Sequence, residues 1–237
     1  MITLVFSPRW FYGYDIIFEA LAVIVTLIIG LYSLRIYRFS RERTYKYFGL
    51  SFLSFAAAFI GKIAMNFALY NPSAVKSTLQ QAQPAVTQKL LEKSNLVLQA
   101  GYDAHRFLFL LALLGIYWIV SKSDDLEHRW FFVYLIALAS LFSFNAYFIF
   151  HITATIMLLF ILKHFHAFCF KRKAPMTTHL NFLAFSLLFL SQLVFIFVFL
   201  NNAIYVVAEV VQLLGFIVFL VSILSLVFRH GKKTHKD

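Results

Sequence analysis

Several ionisable and amide side chains interrupt runs of sequence that are otherwise apolar. Lys62, for example, lies within AFIGKIAMNF, residues 58–67. A lone charge near the centre of a bilayer costs at least about 3 kcal/mol on insertion scales, so such groups normally face the interior of a helix bundle and pair there. The residues predicted to converge on one polar pocket are Glu19, Lys62, Asn66, His105, His151, Gln192, Glu209 and Gln212.

The spacing of these residues places them on shared helix faces. Side chains three or four positions apart lie on the same side of a helix. Three runs each contain such a pair: Asp15 with Glu19, Lys62 with Asn66, and Glu209 with Gln212. Each of these three helices is therefore expected to carry a polar stripe.

Lys62 is interpreted as the cationic partner of Glu19 or Glu209 in a water-accessible pocket open to the outside. Two alternatives remain open. The ion pair can serve packing alone, or Lys62 can extend towards the outer headgroups. Asp15 and Arg106 are interpreted as interfacial residues, and Arg106 has Asp103 as a partner on the adjacent turn.

Two histidines raise the question of a metal or haem. His105 and His151, with Asp103 or Glu209, supply imidazole and carboxylate groups that suit zinc or iron, and imidazole also ligates haem. No short ligand motif supports such a site, and a lone histidine is more often a hydrogen-bonded interior or interfacial group. The metal candidates are therefore His105, His151 and Asp103, and the cofactor stays open. Cys169 is the single cysteine, so no disulfide can form within the chain.

The elements that must position these residues are membrane-spanning helices. The chain of 237 residues is 62% hydrophobic and 13% charged, with 30 phenylalanines, which no soluble domain of this size could hide in one core. A spanning helix needs about 20 mostly apolar residues. We predict a single membrane domain, 1–237, that is all-α and forms a seven-transmembrane-helix bundle with spans at about 14–37, 45–70, 101–121, 130–144, 148–168, 178–200 and 203–228.

The distribution of basic residues predicts the orientation. Most of the 21 lysines and arginines fall in loops on one side, and the positive-inside tendency makes that side cytoplasmic. The N-terminus is then outside and the C-terminus cytoplasmic. The net charge of +11 follows from these loops beside anionic lipid headgroups, so no nucleic-acid partner is expected.

One long loop, 71–100, is predicted on the outer side. Its apolar residues recur at roughly helical spacing from about position 85, which indicates an outward extension of the third span, a surface helix or a partly ordered loop. Taking 1.5 Å per residue, Lys62 lies roughly 7 Å from the middle of its span, and Glu19, His105 and Glu209 lie roughly 10 Å from theirs. All four fall in the outer half.

A weak internal repeat accompanies this layout. A shift of 132 residues sets Glu19 against His151 and gives three helices, a linker helix and three more, a 3+1+3 pattern seen in transporters. Chance alignment of Leu- and Phe-rich helices explains the few identities equally well. The layout resembles that of microbial rhodopsins, but 203–228 contains no lysine to form a Schiff base, so retinal is not expected.

Three functions are compatible with these features. The first is a receptor or sensor in the cell membrane that binds a small polar or ionised ligand and signals to a separate cytoplasmic or membrane partner, because the inner loops and the tail are too short for an output domain. The second is a transporter of a small solute or of protons. The third is a metal- or haem-dependent enzyme. Few glycines and no prolines interrupt the spans, which favours the sensor over the transporter. The enzyme is the least favoured of the three functions, because no short ligand motif supports a metal or haem site.

Overall fold

The computed structural model describes residues 7–70, 84–121, 126–142, 147–171 and 175–231, and every regular element in these ranges is helical. Two 3₁₀ turns, Arg9–Phe11 and Phe197–Phe199, accompany the α-helices. The α-helices of the described ranges are α1 Tyr14–Ser40, α2 Arg43–Tyr70, α3 Pro84–Ser121, α4 Leu126–Phe142, α5 Tyr147–Lys171, α6 Met176–Ile196 and α7 Ala203–Gly231.

Six of these helices are long and apolar enough to cross a membrane, counting only the described part of the chain. They are α1, α2, α3, α5, α6 and α7. Helix α4 has 17 residues, about 25 Å at 1.5 Å per residue, and its apolar part is the shorter stretch Trp130–Ala139. The six apolar helices indicate a multi-pass membrane protein in contact with lipid.

The distribution of polar and apolar side chains on helix α1 suits a bundle surrounded by lipid. Its buried face carries polar groups, among them Glu19, Thr26 and Ser33. The hydroxyl groups of Thr26 and Ser33 donate to carbonyls of their own helix, so neither needs a partner elsewhere. The exposed face is apolar and consists of Ile17, Leu21, Ile24, Ile28 and Leu31. This is the reverse of a water-soluble helix and matches a lipid-facing surface.

The six long helices form a closed ring of neighbours. In order of contact the ring is α1, α2, α3, α5, α6 and α7, and α7 returns to α1. Helix α4 lies outside the ring, against α3 and α5. Side chains that point inward from different helices therefore meet in the middle of the ring.

Phenylalanine rings fill much of that middle. We call this set the aromatic core: Phe52, Phe55, Phe59, Phe109, Phe216 and Phe219, each no more than 1% exposed. The rings meet edge to face, with centroids 4.9 Å apart for Phe55 and Phe109 and 5.4 Å apart for Phe59 and Phe216. Edge-to-face packing is the favoured aromatic geometry. The aromatic core joins α2, α3 and α7 tightly.

The structure refines two sequence predictions. The predicted spans 130–144 and 148–168 correspond to two helices, because α4 ends at Phe142 and α5 begins at Tyr147, but α4 is not among the six helices long and apolar enough to cross a membrane. The predicted loop 71–100 is too long, because α3 begins at Pro84 and 84–100 belong to the third helix. That was one of the alternatives indicated by the helical spacing there. Residues 71–83 lie outside the described residues.

Helices α1 and α2 approach most closely at a pair of glycines. A Cβ added to Gly49 would lie 2.9 Å from the Gly30 carbonyl oxygen and 2.9 Å from Leu34 Cγ. Backbone atoms cannot easily move aside, so small residues allow this close approach, as they do in many membrane helix pairs. A Cβ on Gly61 of the same helix would meet nothing within 4 Å.

We expect Gly49→Ala to lower stability by about 1–3 kcal/mol because it overpacks the α1–α2 contact. The matched control, Gly61→Ala, is expected to be neutral or stabilising by about 0.5–1 kcal/mol, since alanine is the better helix former. Thermal unfolding in detergent can be followed with a thiol-reactive dye at Cys169, which is buried. Equal effects of the two substitutions would contradict the close approach.

Candidate functional site

Lys62 lies between two buried carboxylates. Its Nζ is 2.9 Å from Glu19 Oε1 and 2.5 Å from Glu209 Oε1. The Glu19 and Glu209 side chains are 0% and 4% exposed, and that of Lys62 is 13% exposed. The two pairings that the sequence offered as alternatives therefore occur together, and the ammonium group links α2 to both α1 and α7.

Further polar groups extend this arrangement. Asn66 Nδ2 donates to both carboxylate oxygens of Glu19, at 3.0 and 3.2 Å, and Asn66 Oδ1 accepts from the Tyr102 hydroxyl at 2.7 Å. We call Glu19, Lys62, Asn66, Tyr102 and Glu209 the charged cluster. Its two carboxylates face one ammonium group, so with all three ionised the formal charge is −1.

Asp15 and Arg106, which the sequence analysis interprets as interfacial residues, have partners within the bundle. Asp15 is fully buried, and its Oδ1 accepts from the backbone N–H groups of Gly13 and Ile16 at the start of α1. These N–H groups need an acceptor there. The Arg106 side chain is only 13% exposed and donates to Asp103 at 3.2 Å, the pairing that the sequence indicated.

The two histidines are held by single hydrogen bonds to different helices. His105 Nδ1 lies 2.8 Å from the Ala58 carbonyl oxygen, and His151 Nδ1 lies 2.8 Å from Gln192 Oε1. Because a carbonyl oxygen only accepts, His105 Nδ1 is the donor. The His151 ring also stacks on Phe195, with centroids 4.8 Å apart. These bonds tie α2 to α3 and α5 to α6.

Among the described residues no group of three or more His, Cys, Asp or Glu side chains is placed to hold a metal ion. Of the three metal candidates, His105 and His151 reach the cavity described below, and Asp103 pairs with Arg106 instead. The structure therefore offers no ready ligand set within the residues it describes.

The predicted site residues surround a cavity of about 100 Å³ inside the ring. All of them line it except Glu19 and Glu209, which lie behind Lys62. The polar lining is Ser7, Lys62, Asn66, Tyr102, His105, Arg106, Tyr147, His151, Gln192, Tyr205 and Gln212. The apolar lining is Phe59, Phe109, Phe150, Phe195 and Val198.

The cavity lies between the aromatic core and one end of the bundle. Phe59 and Phe109 belong to both the cavity wall and the aromatic core. At the other side, Ser7, Tyr147 and Val198 come from the segments at the end of the bundle where α1 begins. We call this the cavity end. The opposite end, where α1 leads into α2, carries Arg38, Arg41, Arg43 and Lys46, and we call it the basic end.

Sequence reasoning missed the tyrosines and Arg106 as lining residues. Tyrosines near helix ends are typical of the membrane interface, so Tyr102, Tyr147 and Tyr205 were not distinguished from that background. A signal was present on α3, because Tyr102, His105, Arg106 and Phe109 follow a spacing of three, four and seven. That spacing places them on one helix face.

The fold and the cavity together define an all-helical, multi-pass membrane protein with a polar cavity enclosed by its helices. No protein-family model, curated protein or solved structure matches the chain. Binding of a ligand by the cavity residues stays a prediction.

Proposed function

We propose that the protein is a receptor or sensor of the cell membrane that binds a small polar or ionised ligand in the cavity. Seven spans, with the N-terminus outside, put the cavity end on the outer face and the basic end in the cytoplasm, as the positive-inside tendency favours. The observation that carries the proposal is a polar cavity at one end of a ring whose middle is filled by the aromatic core. A ligand can then be held from one side without a route to the other.

The size and lining of the cavity limit the ligand. A volume of about 100 Å³ holds several water-sized groups and lies below the roughly 300–1,000 Å³ of sites for drug-sized ligands. Lys62, Arg106 and the side-chain amides offer N–H donors, and the carboxylates of the charged cluster lie behind Lys62. This favours a small ligand with hydrogen-bond acceptors, and it gives no support to a haem group.

The contacts of Lys62 suggest how binding would reach the rest of the protein. A ligand acceptor that bonds to Lys62 competes with Glu19 and Glu209, which connect α2 to its neighbour α1 and to α7. Those two helices meet where the ring closes. A ligand shifts a conformational equilibrium only if it makes different contacts in the two conformations. Competition for Lys62 provides such a difference between the conformations with and without the Glu19 and Glu209 contacts. A separate cytoplasmic or membrane partner would read the helix movement.

A transporter is the second candidate, and two observations favour it. The ring runs through three helices, then passes α4 and continues through three more, which supports the 3+1+3 interpretation. Glu19 and His151, equivalent in the 132-residue shift, each bond to an amide of the following helix, Asn66 and Gln192. The formal charge of −1 in the charged cluster would also suit uptake of a proton or a cation.

Cysteine accessibility tests the proposal without knowledge of the ligand. In a Cys169→Ser background, Gln192→Cys and Gln212→Cys place single thiols in the cavity wall. We expect a charged, impermeant methanethiosulfonate to modify both from the outer face of sealed vesicles and neither from the cytoplasmic face. Ser222→Cys, buried at 0% exposure and outside the cavity lining, is the unreactive control, and Trp10→Cys is the exposed one.

The outcomes separate the candidates. Modification from both faces would indicate alternating access and favour the transporter over the sensor. Protection from both faces, with Trp10→Cys reactive, would contradict a cavity that opens to the outside. If the cavity cysteines react only from the outer face, small carboxylates and amino acids that slow the reaction at Gln192→Cys are the first ligands to pursue.

A further inference from the structure

A second and larger cavity lies on the outside of the ring, between α2 and α3. Its volume is about 540 Å³. It is separate from the polar cavity, because the two share no lining residue. We call it the lateral groove, and its lining is Arg43, Thr44, Tyr47, Leu50, Ser51, Ser54, Leu111, Leu114, Gly115, Trp118 and Ile119.

Small residues form the floor of the lateral groove and large ones form its rim. A Cβ added to Gly115 would overlap Ser51 Oγ, so α2 and α3 touch at this point. Tyr47, Leu50 and Trp118 are 52%, 45% and 48% exposed and stand beside the floor. The groove therefore opens to the surroundings of the bundle, which for a membrane protein are lipid.

The length of the groove matches one leaflet of a bilayer. From Arg43 to Ser54 the groove follows α2 for roughly 17 Å at 1.5 Å per residue. The hydrocarbon core is about 30 Å thick, so one leaflet contributes about 15 Å. The wall beyond the first turn of α2 is mainly apolar, with Leu50, Leu111, Leu114 and Ile119. An acyl chain fits this length and this chemistry.

The mouth of the groove has the groups that bind a phosphate. Arg43 and Thr44 lie there, at the N-terminus of α2, where backbone N–H groups favour an anion. An arginine guanidinium group binds phosphate through two parallel hydrogen bonds. Arg41 adds positive charge beside this mouth, and Glu42 is the one acidic residue within 38–46.

We propose that the lateral groove is a binding site for an anionic glycerophospholipid, with the phosphate at Arg43 and one acyl chain along α2 and α3. The site stands apart from the polar cavity and does not depend on the ligand proposed there. The bound lipid would contact the ring of helices where α2 and α3 meet.

Quenching of Trp118 by brominated lipids tests this proposal. The full chain, with Trp10→Phe and Trp130→Phe, has Trp118 as its only tryptophan. It is placed in lipid nanodiscs that contain phosphatidylglycerol or phosphatidylcholine with brominated acyl chains, each diluted in unbrominated phosphatidylcholine. We expect phosphatidylglycerol to be preferred at Trp118 by about fivefold, the effect of one basic side chain on an anionic lipid.

Two charge-removing variants on the same helix supply the contrast. Arg43→Gln is expected to abolish the preference, so that the two lipids bind near Trp118 about equally well. Lys46→Gln removes the same charge, but Lys46 Nζ lies 5.9 Å from the centre of the Tyr37 ring, on the α1 side, so the preference should remain. Equal affinity for the two lipids in the parent protein would overturn the proposal. An equal loss in both variants would also overturn it, because it would indicate general surface attraction.

Discussion

Lys62→Met is expected to destabilise the protein by about 3–5 kcal/mol, the cost of removing one partner from a buried ion pair. Methionine keeps the length of the lysine stem but leaves Glu19 and Glu209 buried and facing each other. Both carboxylates are at most 4% exposed, so bulk solvent screens their charges poorly once the ammonium group is gone. Unfolding in mixed micelles measures the change, and Lys46→Met, at an exposed position of the same helix, is the control and should have little effect.

Neutralising the carboxylates should reverse this loss in steps. Glu209→Gln in the Lys62→Met background leaves Glu19 as the one unpaired charge, and Glu19→Gln in addition leaves none. A glutamine at position 19 still accepts from Asn66, so that contact survives. We therefore expect the triple variant to be the most stable of the three. If Lys62→Met alone is neutral or stabilising, the ammonium group is not required for the fold, and a role in ligand binding becomes the better explanation for it.

Phe109→Ala should have the second largest effect, a loss on the order of 3 kcal/mol. Phe109 is 1% exposed and its ring meets those of Phe55 and Phe150 at centroid distances of 4.9 and 5.5 Å. Truncation leaves a cavity whose walls lose their contacts. The estimate lies at the lower end of values for large aromatic side chains, because lipid is as apolar as the protein interior and the transfer contribution is small.

Phe107→Ala is the matched control for this prediction. Phe107 lies two residues earlier on α3 and is 43% exposed, so its removal should change the unfolding midpoint little. Equal losses at the two positions would indicate that the aromatic core contributes no more than the lipid-facing surface. A proton-leak assay in liposomes adds a second readout. Phe109 belongs to both the cavity wall and the aromatic core, so its removal would extend the polar cavity into that core.

Residues of the polar cavity could be predicted from the sequence where their spacing places them on one face of a helix. Lys62 and Asn66, four apart, do point to the same side, and both line the cavity. The two carboxylate partners of Lys62 could not be chosen from spacing, because the choice depends on which helices are neighbours. Both are available only because the ring brings α7 back to α1, while α2 lies beside α1.

Other features depend on local geometry that the sequence does not display. The buried carboxylate of Asp15 accepts from the backbone N–H groups of Gly13 and Ile16 at the start of α1, where Gly13 has a φ of +91°. Arg106 lies near the end of an apolar run, so the sequence alone does not identify it as a cavity residue. Helix α3 begins at Pro84, so Arg106 lies well inside the helix, and its side chain lines the cavity.

The charged cluster also has a consequence for the biogenesis of the protein. Glu19 and Lys62 lie on consecutive helices, so their opposite charges can cancel as soon as α1 and α2 have entered the membrane together. Glu209 follows Lys62 by 147 residues and lies on the last of the described helices. Its carboxylate reaches Lys62 only when α7 has been inserted and closes against α1. A chain interrupted before α7 lacks the helix that joins α1 to α6 in the ring, and within the charged cluster Lys62 then has Glu19 as its one carboxylate partner.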